Sequence, residues 1–281
     1  MKPTPFTTLA ELIERYDVFL IDQFGVLRDN NGLYEGASKA LKTLKAANKV
    51  VVILSNSGKD GDSNARRIVD LGIERASFDH FVTSGDVGLS ILKRPGSPAK
   101  PGGRCLTIAS ADAPDYAELL GMVPADTGCD ADLVLIAGSE AERTPMEKYA
   151  ALLRRAAERD VACFCTNPDL RKLWNGASVP AAGSIANLYE ALGGQVTRLG
   201  KPFQEIYDYV LQLCDDPEKS SVVCVGDSIE HDILGARRAG LSSVLVSTGL
   251  AARQTLEAQA RNMEEINAWP TYRMTQFSGI M

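Results

Sequence analysis

Short apolar runs alternate along most of the chain with segments whose apolar residues recur every three or four positions, the pattern of parallel strands joined by crossover helices. Asp17-Val18-Phe19-Leu20-Ile21-Asp22 is apolar on successive positions and predicts a strand buried on both faces. Ala40, Leu41, Leu44 and Ala47 share one stripe and predict a helix over 37–47, and the run from Lys49 to Leu54 predicts the next strand. A helix over 63–71 stopping near Gly72 and a strand at Phe81-Val82-Thr83 complete a βαβαβ unit.

The stretch 93–103 is too rich in Pro and Gly for the interior of a helix or strand and predicts a linker or long loop. Strand patterns then recur at 105–109, 133–137 and 161–165, with a helix over 146–159, a second α/β unit. A helix over 183–192 closes at Gly193-Gly194, and Lys201-Pro202-Phe203 opens another that continues to Leu213. Strands at 221–225 and 243–246 flank a helix over 232–239 that stops at Gly240, and 270–277 alternates enough for a late edge strand. The expected fold class is α/β: a doubly wound, Rossmann-like parallel-sheet core over 1–85 and 185–281, interrupted by an α/β domain over 86–184.

Composition narrows the function. Hydrophobic residues are 45% and charged residues 23% of 281, ordinary for a globular chain. A net charge of −6 lacks the basic excess of a sequence-independent nucleic-acid binder. The longest apolar run, from Val50 to Leu54, falls far short of the roughly 18 residues that a membrane helix needs. No signal-peptide pattern stands at the N-terminus, so the expected location is the cytoplasm. Six cysteines without a CxxC pair and only two histidines, His80 and His231, argue against zinc and predict buried, reduced thiols.

Parallel sheets bind ligands outside the carboxyl ends of their strands. Three strands here end in suitable residues: Asp22 with Gln23-Phe24-Gly25 after it, Ser55-Asn56-Ser57-Gly58, and Gly226-Asp227-Ser228 with Asp232 five residues beyond Asp227. Carboxylates gathered on one rim repel unless a cation neutralises them, and hard oxygen ligands suit Mg²⁺. An aspartate beside Mg²⁺ points to phosphoryl transfer with the carboxylate as nucleophile, and Lys201 after Gly200 supplies a positive charge for phosphate oxygens. Gly25 permits a sharp turn, while Gly58 and Gly226 either admit backbone amides to phosphate or serve turn geometry alone.

Asp22-Gln23-Phe24-Gly25-Val26, Leu54-Ser55-Asn56, Gly200-Lys201-Pro202 and Gly226-Asp227-Ser228 with Asp232 resemble, in order and spacing, the four motifs of the haloacid dehalogenase-like (HAD) hydrolase superfamily. The long stretch between the second and third motifs resembles the type IIA insertion of NagD-like, pyridoxal phosphate and 4-nitrophenyl phosphatases, as does Thr166-Asn167-Pro168-Asp169 within it. The resemblance implies that Asp22 is nucleophile and Mg²⁺ ligand. It also implies that the Phe24 backbone carbonyl and Asp227 are further ligands, and Asp232 a ligand or its support. Ser55, Asn56 and Lys201 would hold the phosphoryl group. The inserted domain would be a type C2 cap whose closure over a small phosphorylated metabolite excludes water, and which often mediates homodimers.

One position departs from the family. Its phosphatases carry a second aspartate two residues after the nucleophile, which protonates the leaving oxygen; Phe24 stands there and has no proton to give. Three readings stay open: an acid from elsewhere (Asp29, Glu35, His231 or Asp169), a substrate with a good leaving group, or a phospho-ligand-binding protein with weak turnover. Dehalogenases of the superfamily also place an aromatic residue there, but without metal and with a helical cap, so Asp227 and Asp232 favour phosphate. In the cap, Asn167, Asp169, Arg171, Lys172 and Trp174 either face the substrate or form a solvated loop, and Lys148, Arg154 and Arg155 read as a solvated helix face.

Overall fold

The chain's most apolar strands take the central places of a six-stranded sheet. In this computed structural model, which describes residues 4–175 and 177–278, Val18–Asp22 pairs in parallel with Val50–Ser55 on one side and Val222–Gly226 on the other. The full order is Tyr272–Met274, Ser242–Val246, Val222–Gly226, Val18–Asp22, Val50–Ser55, His80–Thr83. Every residue of Val222–Gly226 and the first four of Val18–Asp22 are buried, which is why neither run alternates in the sequence. From Val18–Asp22 the chain builds outward in one direction through Val50–Ser55. After returning it builds outward in the other through Val222–Gly226, so strand order reverses between these neighbours. That reversal opens a crevice at their carboxyl ends, where Asp22 and Asp227 stand.

The helix Ala37–Ala46 buries Ala37, Ala40, Leu41 and Leu44. These pack with Phe19, Ile21, Val51, Ile53, Val223 and Val225 into one hydrophobic cluster.

A second compact unit comprises Asn56–Asp60 and Thr83–Gly200; the first holds the chain up to Ser55, Gly61–Val82, and the chain from Lys201 onward. The second unit has its own five-stranded sheet, in the order Val196–Arg198, Cys163–Cys165, Leu133–Ile136, Arg104–Ile108, Val123–Pro124, all parallel. Helices Met146–Glu158 and Ala182–Ala191 bury Leu153, Ala156, Ile185 and Tyr189 against Val134 and Ile136. An antiparallel hairpin, Arg171–Trp174 with Ala177–Pro180, stands apart from that sheet.

The return to the first unit therefore lies at Lys201, not at 185 as the sequence pattern suggests. Helix Ala182–Ala191 shares its buried face with the second sheet, and Val196–Arg198 pairs with Cys163–Cys165. That strand is three residues long and only partly buried, too short and too polar to register as an apolar run. Two further elements differ from their patterns. Lys201-Pro202-Phe203 forms a turn, and the helix after it runs Gln204–Leu213. The expected helix over 232–239 is a π-helical turn, Ile229–Ile233, followed by Leu234–Ala239, which ends on Gly240 at φ +74°. π turns recur at functional positions, and this one carries Asp232.

The late strand is Tyr272–Met274, paired in parallel with Val244–Val246 at the sheet edge. All six cysteines are free; Cys105, Cys163, Cys165 and Cys224 are buried, whereas Cys129 is exposed and Cys214 half-buried. Among the described residues no helix is long and apolar enough to cross a membrane.

Candidate active site

Three carboxylates meet at the crevice of the first unit. Asp22 ends the central strand, Asp227 follows its neighbour, and Asp232 sits in the π turn; oxygens of all three lie within 4.8 Å of one another. Lys201 binds two of them, its Nζ donating to Asp22 Oδ1 at 2.6 Å and to Asp232 Oδ1 at 2.7 Å. The backbone amide of Ser228 donates to Asp232 Oδ2 at 3.0 Å, and the amide of Leu250 donates to Asp227 Oδ2 at 2.6 Å.

Two glycines make this crowding possible. Gly25 turns the chain after Asp22 at φ +92°, and a Cβ there would lie 2.0 Å from Asp227 Oδ2. A Cβ on Gly226 would lie 2.1 Å from Asp232 Cγ. Gly226 thus makes room for a carboxylate, and Gly58 has a packing role: its Cβ would strike the Ala137 carbonyl 1.9 Å away, within the second unit. The Gly25 turn is fixed by its amide donating to the Arg28 carbonyl at 2.8 Å and by Thr248 Oγ1 donating to the Gly25 carbonyl at 2.5 Å. The Arg28 amide donates to the Gln23 carbonyl, so the Phe24 carbonyl takes no part in that pairing.

Burial raises the Asp22 carboxyl to about 7; Lys201 opposes the shift and Asp232 adds to it. Burial, together with Asp22 and Asp232, raises Asp227 to about 8. For Lys201 burial works against the ammonium, but the two carboxylates outweigh it and hold the group above its ordinary value. With all groups ionised, three carboxylates and one ammonium leave two negative charges in a buried space. All the donors are hard oxygens, and this set fits a divalent cation.

The shifts have a consequence for stability. Between the ordinary carboxylate range and about pH 8, the metal-free folded protein holds protons at Asp22 and Asp227 that the unfolded chain has released. Raising pH through that window therefore lowers the site's contribution to stability, and a divalent cation, which replaces those protons, restores it. Thermal melts should show a cation-induced rise in Tm that is larger at pH 8 than at pH 5.5. An equal rise at both pH values would contradict the burial of charge described here.

The residues expected to serve the site divide between the units. Asp22, Asp227, Asp232 and Lys201 come together in the first unit, and Ser55 ends its neighbouring strand as a buried residue. Asn56, Asn167 and Asp169 meet within the second: Asn56 Nδ2 donates to Asp169 Oδ1 at 2.9 Å, and the Asp169 amide to Asn167 Oδ1 at 3.2 Å. A carboxylate repels phosphate. Asp169, expected to face the substrate, accepts the Asn56 side-chain amide. Lys172 pairs with Glu142 at 2.8 Å, and Arg171 Nε donates to Ser178 Oγ at 3.0 Å across the hairpin. Trp174 lies under Arg143, 5.5 Å from its ring centroid.

Of the groups considered as a replacement acid, Asp29 accepts the Asn31 amide at 2.7 Å and holds the tight hairpin Arg28–Asp29/Gly32–Leu33. His231 sits in the π turn, its amide donating to Ser228 Oγ at 3.2 Å. The sequence reading missed Thr248 and Leu250, which brace Gly25 and Asp227. They follow the strand Ser242–Val246, and their place at a strand's carboxyl end is the signal that could have found them.

A family model for haloacid dehalogenase-like hydrolases matches residues 19–123, and a HAD-hydrolase-like model matches 198–271. The first stretch holds Asp22 and Ser55, the second Lys201, Asp227 and Asp232. The chain is a haloacid dehalogenase-like hydrolase. Within that superfamily it belongs to subfamily IIA, the NagD and 4-nitrophenylphosphatase type. This hydrolase is 25% identical to chronophin of Rattus norvegicus over 258 residues, covering 90% of this chain and 82% of that protein. It is 29% identical to the sugar-phosphatase AraL of Bacillus subtilis over 238 residues, 83% of each chain. The crystal structure of a 4-nitrophenylphosphatase from Thermotoga maritima matches the hydrolase with a TM-score of 0.74 at 25% identity, over 95% of this chain and 97% of that one.

Proposed function

We propose that this hydrolase is a Mg²⁺-dependent phosphatase of small phosphorylated metabolites, with Asp22 as nucleophile. The observation that carries the reading is the convergence of Asp22, Asp227 and Asp232 with Lys201 bound to two of them. Mg²⁺ would be held by Asp22, Asp227, Asp232 and the Phe24 carbonyl, where it would offset charge on phosphoryl oxygens. Ser55 Oγ and Lys201 would position the phosphoryl group. An Asp22 oxygen attacks phosphorus, the bond from phosphorus to the leaving oxygen breaks, and the electron pair departs on that oxygen. Water then attacks phosphorus, releases phosphate and regenerates the Asp22 carboxylate. The names of the relatives, which include sugar, glycerol-3-phosphate and 4-nitrophenyl phosphatases, support phosphate esters as the substrate class.

Phe24 sets the expected preference. The residue is 45% exposed in the nucleophile's turn and its ring donates no proton, so the leaving oxygen departs without the help that a positioned acid gives, about 10²–10⁴ in rate. Good leaving groups are therefore favoured. With Mg²⁺ present, phosphate release should be fast from 4-nitrophenyl and acyl phosphates and slow from alkyl phosphates. Phe24→Asp should raise the alkyl rates more than the aryl rates. Tight binding across a phosphate library with no phosphate release would replace the enzyme with a phospho-ligand-binding protein.

A further inference from the structure

Beside the nucleophile's turn lies an arginine that the reaction does not use. The Arg28 carbonyl is one hydrogen bond from the Gly25 amide, and Gly25 is in contact with Asp227, so the Arg28 backbone stands at the edge of the carboxylate cluster. Its guanidinium lies over the Phe24 ring, 5.4 Å from the centroid. Nε and Nη2 both donate to the Asp29 carbonyl at 3.0 Å, which fixes the plane of the group. A backbone carbonyl carries no net charge, and the Asp29 carboxylate is engaged by the Asn31 amide and side chain. Among the described residues Arg28 makes no ion pair, and its Nη1 donors have no partner. Burial disfavours the cation and Arg67 adds like charge nearby; together they outweigh the Asp29 carboxylate, so the guanidinium is held below its ordinary pKa. A half-buried arginine, rigidly held and in no direct ion pair, with the neighbouring Asp29 carboxylate acting on it only at longer range, is suited to an anion from outside.

We infer that Arg28, seated on Phe24, binds a second anionic group of the substrate, so that the preferred substrates are phosphorylated carboxylic acids or bisphosphates rather than neutral sugar or alcohol phosphates. This rests on the phosphatase reading and names its substrate class. The ring of Phe24 and the Nη1 edge of Arg28 together offer an apolar face for the carbon frame and paired donors for the distal charge. The position that lacks an acid thus becomes a platform for recognition.

Non-hydrolysable phosphonates test it without requiring turnover. Phosphonoacetate and 3-phosphonopropionate carry a second anion, and methylphosphonate does not. In calorimetric titrations with Mg²⁺, at least one of the two carboxylated ligands should bind the wild-type chain about 10- to 100-fold more tightly than methylphosphonate, the range of a charged hydrogen bond. Arg28→Met, which keeps an apolar stem on Phe24, should abolish that ratio while leaving methylphosphonate affinity unchanged, and Arg28→Lys should retain part of it. An unchanged ratio in Arg28→Met, equal loss for all three ligands, or no discrimination by the wild-type chain would each overturn the inference. Hydrolysis of 4-nitrophenyl phosphate is measured in parallel. A ratio that depends on Arg28 without any hydrolysis would leave the anion site standing and remove the phosphatase.

Discussion

Asp22→Asn should lower phosphate release from 4-nitrophenyl phosphate by about 10³-fold or more, the scale on which loss of a nucleophile is felt. The substitution keeps the shape of the side chain and removes the negative charge that, in the proposed reaction, attacks phosphorus. The fold should survive it, because Lys201 retains Asp232 at 2.7 Å and the strand around position 22 is held by Val18–Ile21, all buried. Removing the Asp22 charge also relieves the cost of burying it, the main cause of its raised pKa. The expected pair of results is therefore an inactive protein whose metal-free melt at pH 8 is no lower than that of wild type. Activity within tenfold of wild type would transfer the nucleophile's role to another group.

Lys201→Met should have the larger effect on stability. The ammonium is buried between Asp22 and Asp232, and removing it leaves two carboxylates facing each other and Asp227 without a counter-charge. Breaking a buried ion pair from one side costs about 3–5 kcal/mol. The cost depends on the carboxylates being ionised. Denaturant titrations of the metal-free protein should therefore show a large loss at pH 8 and a smaller one at pH 5, where Asp22 and Asp227 are protonated. Added Mg²⁺ should recover part of the loss at pH 8. Phosphate release should still fall by about 10²–10³, the usual cost of deleting one preorganised donor to a developing charge. A variant as stable as wild type at both pH values would contradict the ion-pair geometry.

Much of this architecture is legible in the sequence because buried parallel strands need apolar residues on both faces. Val18–Ile21 and Val222–Val225 satisfy that demand without interruption. The polar residue that ends such a run must lie at the rim, which is why Asp22, Ser55 and Asp227 can be picked out in advance. Asp232 follows from its spacing to the Asp227 rim and Lys201 from the Gly200-Lys201-Pro202 resemblance, although the π turn that aims Asp232 leaves no mark in an apolar pattern.

What stays hidden depends on contacts distant in sequence or on elements too short to show a period. Val196–Arg198 is recognisable as a strand only through its pairing with Cys163–Cys165, and so the end of the inserted unit is misplaced by pattern alone. Asp169 reads as a site residue by its motif, yet its carboxylate is taken by Asn56, 113 positions earlier. Thr248 and Leu250 reach Gly25 and Asp227 from a loop with no apolar signature. The seat of Arg28 over the Phe24 ring leaves no mark in the apolar pattern.

The most direct test of the Asp22 assignment is chemical trapping during turnover. Protein hydrolysing 4-nitrophenyl phosphate with Mg²⁺ is quenched with borohydride, which reduces an acyl phosphate to the alcohol, and its peptides are mapped by mass. Homoserine at position 22, absent without substrate, is the predicted result; turnover with no reduced residue, or with the reduced residue at another aspartate, would contradict the account.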